Sequence, residues 1–298
     1  MTPADDTGER PADGSPELPA DDGFEPPVGD AFERVHITAE ALRDGSLLAA
    51  ARLRASGDPS LVFLSDAEIE AGLDTMLADH PPQQDVWLFG YGSLMWNPAM
   101  HYAESRVGVV RGWHRSYCLW AHMGRGTPEA PGLMLALDRG GSSAGMLFRF
   151  PAATARAELS LPWRREMFTG SYAARWVTVD IDAAPDTHGG AGTPGEADAP
   201  NEADTPGEFN TQGEAGAGIA AGSVRAISFV ANRAHVRYAG RLDEATIAAH
   251  IAVARGSLGT CVEYLEQTLA VLRAHGRTDH RLERLDRLVL RASVGALG

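Results

Sequence analysis

The sequence predicts an α+β fold in which an antiparallel or barrel-like β-sheet has helices before and after it. Short runs of β-branched and aromatic residues follow one another closely between residues 86 and 150, with Gly or Pro between them, as in strands joined by turns. Segments on both sides of this region space their apolar residues as amphipathic helices do. Such closely spaced strands favour antiparallel pairing or a closed barrel.

Composition separates two acidic segments from the part of the chain that can form a core. The 298 residues are 44% hydrophobic, which is enough for one large domain. Residues 1–30 carry nine acidic residues and one Arg, and residues 182–222 carry eight acidic residues and no Arg. Each segment therefore has a net charge of −8, and the rest of the chain has +2, which gives the net charge of −14. We predict a disordered acidic leader over residues 1–34, a helical extension over 35–82, and one domain over 83–295 with a flexible acidic insertion at 183–222.

The helical extension and the strands after it are predicted from residue spacing. Helices are expected over residues 37–55 and 65–80, and Ser65 with Glu68 forms a capping box at the start of the second. The next strands are expected at residues 86–89, 106–110, 114–121, 133–137 and 145–150, separated by Gly112, Gly124, Gly126, Pro131 and Gly140.

The second half of the chain alternates helices and strands. Residues 152–168 have a helical pattern that contains Pro162, so one helix is expected to end at Leu161 and another to begin at Pro162. Strands over 175–181 and 224–231 flank the acidic insertion. Helices are then expected over residues 243–255, 260–274 and 280–293.

Several functional classes have no support in the sequence. No basic patch is interleaved with aromatic residues, so nucleic-acid binding is not expected. No signal peptide and no apolar run of about 20 residues is present, which predicts a cytoplasmic protein without a membrane segment. Cys118 and Cys261 are far apart and are expected to be reduced and buried. His101, His114 and His122 lack the spacing of metal ligands.

The strand at residues 86–89 leads directly into Gly90-Tyr91-Gly92-Ser93-Leu94, which is a candidate substrate loop. Glycines permit backbone angles at which successive amide N–H groups converge on one anion. No Lys follows and the spacing of a phosphate loop is missing, so a carboxylate or an oxyanion is a better ligand than a nucleotide. Ser93 has no nucleophile elbow around it, which argues against a serine hydrolase. A purely structural turn is the alternative.

Glu166 is the candidate acid or base because it is set among Trp163, Met167 and Phe168. Apolar neighbours raise the pKa of a carboxyl, whereas the adjacent Arg164 or Arg165 would lower it, so the sequence leaves the direction open. The alternative is a surface Glu paired with Arg.

Three further residues are weaker candidates. Tyr264, on the helix after Gly256 to Thr260, could cap the pocket or simply pack in the core. Arg115 and Arg125 could bind a substrate carboxylate with their planar guanidinium groups. Surface ion pairs are the expected role for both arginines.

Taken together, four segments resemble the ChaC family of γ-glutamylcyclotransferases. They are the run from Phe89 to Pro98, the sequence Gly112-Trp113-His114-Arg115, the sequence Gly124-Arg125-Gly126-Thr127 followed by Pro131-Gly132, and the run from Trp163 to Met167. The resemblance covers residues 86–181 and 224–290. It implies a small β-barrel flanked by helices that acts on glutathione, a small-molecule substrate, with no cofactor and no obligate protein partner.

The resemblance also implies a set of site residues. The catalytic glutamate is Glu166, and the substrate-binding residues are Leu88, Phe89, Gly90, Tyr91, Gly92, Ser93, Leu94 and Tyr264. Cys261 stands where similar proteins commonly carry Asn, which leaves open whether a hydrogen bond exists there.

The reaction that the resemblance implies is closure of a five-membered lactam by attack of the glutamyl α-amine on its own γ-carbonyl. Glutathione would give 5-oxoproline and cysteinylglycine, with Glu166 moving the proton. Alternatives are a cyclotransferase acting on γ-glutamylamines or other γ-glutamyl amides, a maturation enzyme that removes a γ-glutamyl group from an intermediate, and a non-enzymatic regulatory or binding protein linked to cation transport.

Overall fold

The computed structural model describes residues 34–55, 61–181 and 222–295. The predicted acidic leader lies outside the described residues except for Arg34, and so does the predicted insertion except for Gly222. The division of the chain at residues 34 and 82 stays a prediction. No helix in the described ranges is long and apolar enough to cross a membrane.

Five strands form a closed barrel with both parallel and antiparallel pairs. They are β1 (Val86–Gly90), β2 (Glu104–Ala121), β3 (Gly132–Phe150), β4 (Tyr172–Ile181) and β5 (Gly222–Ala231), in the order β1-β3-β2-β4-β5. Parallel pairing of β1 with β5, in which Trp87 lies opposite Ala226, closes the barrel. β4 and β5 pair antiparallel from Tyr172 to Ile181, so the predicted insertion joins two neighbouring strands. The predicted α+β barrel is confirmed.

Two strands are longer than predicted, because two of the expected turns are bends within strands. Residues 106–110 and 114–121 belong to one strand, β2, and residues 133–137 and 145–150 both belong to β3. Gly112 and Gly140 have φ values of +79° and +95°, which are easy for glycine. Pairing continues on both sides of them, from Arg111 opposite Ser142 to Trp113 opposite Arg139, so these glycines form bulges.

The predicted helix over residues 37–55 is two helices, α1 (Ala39–Arg43) and α2 (Ser46–Arg54). Gly45 separates them with a φ of +80°. The next helix, α3 (Asp66–Leu77), begins at the predicted capping box, in which the Ser65 side chain accepts from the Glu68 amide and the Glu68 carboxylate accepts from Ser65.

The helix after β3 is continuous, so the expected break at Pro162 is wrong. α4 (Ala155–Met167) contains Pro162 in its interior, at the cost of one backbone hydrogen bond. Packing compensates for that loss, because Leu161 and Trp163 on either side of the proline are buried. The Trp163 indole N–H also donates to the Ile69 carbonyl oxygen at 2.8 Å, which joins α4 to α3.

Three helices follow the barrel strands: α5 (Glu244–Val253), α6 (Cys261–Ala274) and α7 (His280–Gly295). A two-stranded sheet that was not predicted, β6 (Arg255–Gly256) with β7 (Gly259–Thr260), leads into α6. A second capping box, formed by Thr260 and Glu263, fixes the first turn of α6. α6 packs on β3 and on the loop that follows β1.

We expect Gly145→Ala to destabilise the barrel by about 2 kcal/mol or more, the usual cost of overpacking. A Cβ at Gly145 would collide with the Gly90 carbonyl oxygen and lie 2.7 Å from the Phe89 ring. Gly72→Ala on α3 is the matched control, because its Cβ would lie at an ordinary 3.5 Å from Trp163 and Ala favours helix. Urea unfolding of both variants tests this, and equal free energies of unfolding would contradict it.

Candidate active site

The predicted substrate loop leaves the end of β1 and winds into a short 3₁₀ helix, Ser93–Met95. Gly92 is required there because a Cβ would lie 2.6 Å from the Tyr264 hydroxyl oxygen. The Met95 and Asn97 amides donate to the carbonyls of Gly92 and Ser93 at 2.9 and 2.8 Å. The Ser93 and Leu94 amides start this turn, and within the described ranges they have no backbone acceptor.

Arg115 holds the candidate loop in place from inside the protein. Its Nε donates to the Tyr91 carbonyl oxygen and its Nη2 to the Ala144 carbonyl oxygen, both at 2.6 Å. Its Nη1 lies 2.6 Å from the carboxylate of Asp279, just before α7. Arg115 is buried, so the expected surface ion pair is wrong. The guanidinium is occupied by the loop, β3 and the segment before α7.

Glu166 lies near the end of α4 with its side chain only 13% exposed. Arg165 Nε lies 3.2 Å from the Glu166 carboxylate, and Arg165 Nη1 donates to the Asn97 carbonyl oxygen at 2.6 Å. Arg164 turns away and pairs with Glu70 of α3. Burial raises the pKa of Glu166, and the positive charge of Arg165 opposes that rise without cancelling it.

Three tyrosines, of which Tyr91 and Tyr264 are buried and Tyr172 is partly buried, lie close enough to Glu166 to sense its charge. Burial, with the negative charge of Glu166 as a further cause, raises the pKa values of Tyr91, Tyr172 and Tyr264. The Tyr91 hydroxyl donates to the Phe229 carbonyl oxygen at 2.6 Å, and the Tyr172 hydroxyl donates to the Leu135 carbonyl oxygen at 2.9 Å. These bonds hold both rings in the barrel wall.

Tyr264 stands at the junction between the candidate loop and α6. Its ring meets Trp96 and Tyr117 edge to face, with centroids 6.1 and 6.2 Å apart. The Arg125 guanidinium lies 5.7 Å from the centroids of both Trp96 and Tyr264. Arg125 is buried and donates to the Thr260 carbonyl oxygen at 2.8 Å, so the surface role expected for it is also wrong.

Cys261, which stands where similar proteins commonly carry Asn, forms a hydrogen bond. Its Sγ donates to the Arg125 carbonyl oxygen at 3.1 Å. Burial raises the pKa of this thiol to about 11, so it stays protonated at neutral pH. Both Cys118 and Cys261 are free and buried, as predicted.

Residues 34–37 form a strap, not predicted from the sequence, that crosses from α6 to the segment after the candidate loop. Arg34 pairs with Glu263 at 2.6 Å, the Val35 amide donates to the Ser257 carbonyl oxygen, and the Ile37 carbonyl oxygen accepts from Asn97. Residues 34–37 are too short and irregular to carry a periodic pattern, so only contacts over long sequence separations reveal the strap.

The predicted site residues thus divide into two groups. Glu166, Tyr91, Gly92 and Tyr264 come together, with Ser93 and Leu94 in the adjoining turn. Leu88 and Phe89 are fully buried in the barrel core, and Gly90 ends β1. The surroundings of the candidate site also include Arg115, Trp96, Tyr117 and Tyr172. Of these four residues, the sequence analysis proposed a ligand role only for Arg115. Among the described residues, no three His, Cys, Asp or Glu side chains could hold a metal ion.

Comparison with known proteins identifies the family. A sequence model described as ChaC-like protein matches residues 86–292. The chain belongs to the ChaC family. ChaC relatives include a glutathione-specific γ-glutamylcyclotransferase of Escherichia coli, 37% identical over 65% of this chain and 68% of the relative. A human protein named glutathione-specific γ-glutamylcyclotransferase 1 is 28% identical over 61% of this chain and 67% of its own length.

A solved structure has a similar fold. The crystal structure of a yeast γ-glutamyl cyclotransferase specific to glutathione aligns with a TM-score of 0.55 at 18% sequence identity. The alignment covers 70% of this chain and 96% of the yeast chain. At this identity the match supports the fold.

We expect Glu166→Gln to raise the melting temperature by an amount that grows with pH. Because burial raises the folded-state pKa of Glu166, ionising this carboxyl costs stability as the pH rises through the unfolded and then the folded pKa. Below both pKa values the acid is already neutral and Gln gains nothing. Melting curves from about pH 4 to pH 8 test this, with exposed Glu266→Gln as the control. A gain that is the same at every pH would contradict it.

Proposed function

We propose that this chain is a glutathione-specific γ-glutamylcyclotransferase, a lyase that converts glutathione to 5-oxoproline and cysteinylglycine. The observation that carries the proposal is the largely buried Glu166 carboxylate, whose charge acts on Tyr91 of the Tyr91 to Leu94 loop. Family membership supports the reaction type, and the names of the bacterial and human relatives support glutathione as the substrate.

The reaction needs correct orientation and a group that moves protons from the α-ammonium nitrogen to the departing nitrogen. The γ-glutamyl group carries its own nucleophile, so holding the chain bent with the α-amine against the γ-carbonyl can lower the barrier by about 7–11 kcal/mol in well-aligned systems. The closed barrel and the hydrogen bond from Arg115 to the Tyr91 carbonyl oxygen hold the loop in a fixed position, in which it can orient the substrate.

Glu166 takes a proton from the α-ammonium group, which frees the nitrogen lone pair to attack the γ-carbonyl carbon. The new C–N bond forms and the carbonyl oxygen becomes negative. The C–N bond to cysteinylglycine then breaks as Glu166 returns the proton to the departing nitrogen. The ring nitrogen gives up its second proton as the lactam forms, so 5-oxoproline leaves with a neutral amide and the amine of cysteinylglycine leaves protonated. A raised pKa makes the carboxylate a stronger base for the first step.

The candidate loop stabilises the negative oxygen in this mechanism. The Ser93 and Leu94 amides begin the 3₁₀ turn, where donors lack partners within the helix. Such amides can accept a developing oxyanion without rearrangement. Arg165, which pairs with Glu166 and binds the Asn97 carbonyl oxygen, keeps the acid and the loop in register.

We expect Glu166→Gln to lower kcat for glutathione by about 10²- to 10⁴-fold, the usual contribution of a general acid–base group. Gln keeps the size of the side chain and removes its basicity. The measurement is mass-spectrometric detection of 5-oxoproline and cysteinylglycine. Glu266→Gln makes the same chemical change on the exposed side of α6 and should leave turnover within twofold of the original.

Two outcomes would contradict parts of the proposal. Turnover retained by folded Glu166→Gln would show that another group moves the proton. Turnover of γ-glutamylamines in place of glutathione by the unmodified protein would retain the reaction class and change the substrate. Absence of turnover with every γ-glutamyl amide, together with a protein that co-purifies, would favour the binding role.

A further inference from the structure

Two polar atoms beside Tyr264 are buried with no hydrogen-bond partner among the described residues. They are the Tyr117 hydroxyl and the Trp96 indole N–H. Tyr117 is only 3% exposed. Both rings touch the edge or face of Tyr264, at 6.2 and 6.1 Å between centroids, so both atoms belong to the surroundings of the candidate site.

The lack of partners distinguishes the Tyr117 hydroxyl from the hydroxyls of Tyr91 and Tyr172. Tyr91 and Tyr172 each donate to a backbone carbonyl of the barrel. A buried donor without an acceptor destabilises the folded protein, and such groups in native proteins call for an explanation. An acceptor that arrives with the substrate supplies one.

The charges nearby indicate the chemistry of that acceptor. Arg125 lies over the rings of both Trp96 and Tyr264. Its contact with Glu263 is 3.4 Å, longer than the 2.7–2.9 Å of a full charge-assisted bond, so its charge is incompletely neutralised. The positive charges of Arg115 and Arg125 both act on Tyr117. Trp96 can only donate, and a carboxylate can accept from both groups at once.

We propose that the Tyr117 hydroxyl and the Trp96 N–H bind a carboxylate of the γ-glutamyl substrate. The inference rests on the proposed function. Glutathione carries two carboxylates, one on the glutamyl α-carbon and one on the terminal glycine. Both have the chemistry that this pair of donors recognises.

The test measures binding by calorimetry in the non-reactive Glu166→Gln background. Adding Tyr117→Phe removes one oxygen atom and should weaken glutathione binding about 10- to 100-fold, the range for a hydrogen bond to a charged group. Two analogues separate the carboxylates: glutathione with its glycine carboxylate converted to an amide, and glutathione with its α-carboxylate converted to an amide. Tyr117→Phe should have little effect on the analogue that lacks the recognised carboxylate.

A stability measurement separates ligand binding from a structural role. If the Tyr117 hydroxyl has no partner in the free protein, Tyr117→Phe should leave the melting temperature unchanged or raise it. Tyr238→Phe is the matched control, because the Tyr238 hydroxyl donates to Asp138 at 3.0 Å on another part of the barrel. That variant should lower the melting temperature and leave glutathione binding intact.

The outcomes distinguish this inference from the proposed function. Turnover of glutathione by the unmodified protein, with Tyr117→Phe binding glutathione as tightly as its parent, would overturn the inference alone. If Tyr117→Phe weakened the binding of glutathione and of both amides equally, the inference would also be overturned, because Tyr117 would then recognise neither carboxylate. A third outcome would overturn the function and support the inference. In it, the unmodified protein does not turn over glutathione, but Tyr117→Phe still weakens the binding of glutathione and of only one amide analogue.

Discussion

The carboxylate of Glu166 is largely shielded from water beside one guanidinium, and the surrounding structure makes this arrangement possible. A lone carboxylate in such a place would hold its proton, and a fully paired one would lose its basicity. Arg165 lies between these limits, because it contacts Glu166 at 3.2 Å while its Nη1 is used by the Asn97 carbonyl oxygen. The same side chain therefore moderates the pKa of the acid and connects that acid to the segment that follows the candidate loop.

Arg115 gives the loop a second attachment. Three of its nitrogens are used, on Tyr91, on Ala144 and on Asp279, so the guanidinium joins the loop to β3 and to the segment before α7. Lys has one charged nitrogen and could not hold three separated acceptors in this planar arrangement. The barrel thus provides more than a support, because the buried side chain of a β2 residue binds the backbone of the loop.

The sequence was sufficient for features that depend on neighbouring residues. The loop after β1, the Ser65 capping box and the placement of Glu166 on a helix all follow from local patterns. The sequence was insufficient where contacts between distant parts of the chain determine the local structure. A glycine with positive φ can form a turn or a bulge, and only pairing with the facing strand made Gly112 and Gly140 bulges. Pro162 was expected to break α4, but burial of its neighbours outweighed the lost bond. The burial of Arg115 depends on Asp279, 164 residues away.

The buried polar groups around the site differ in whether they have a hydrogen-bond partner within the protein. Tyr91 and Tyr172 are tied to backbone carbonyls, which fixes their rings and contributes to the stability of the empty protein. Tyr117 and Trp96 have buried donors that the described residues leave unpaired. A protein selected for stability alone would have Phe in place of Tyr117, because the hydroxyl costs free energy without an acceptor. The presence of the hydroxyl is explained if it destabilises the free protein and forms a hydrogen bond when a carboxylate binds. The hydroxyl then contributes to the affinity and selectivity of binding.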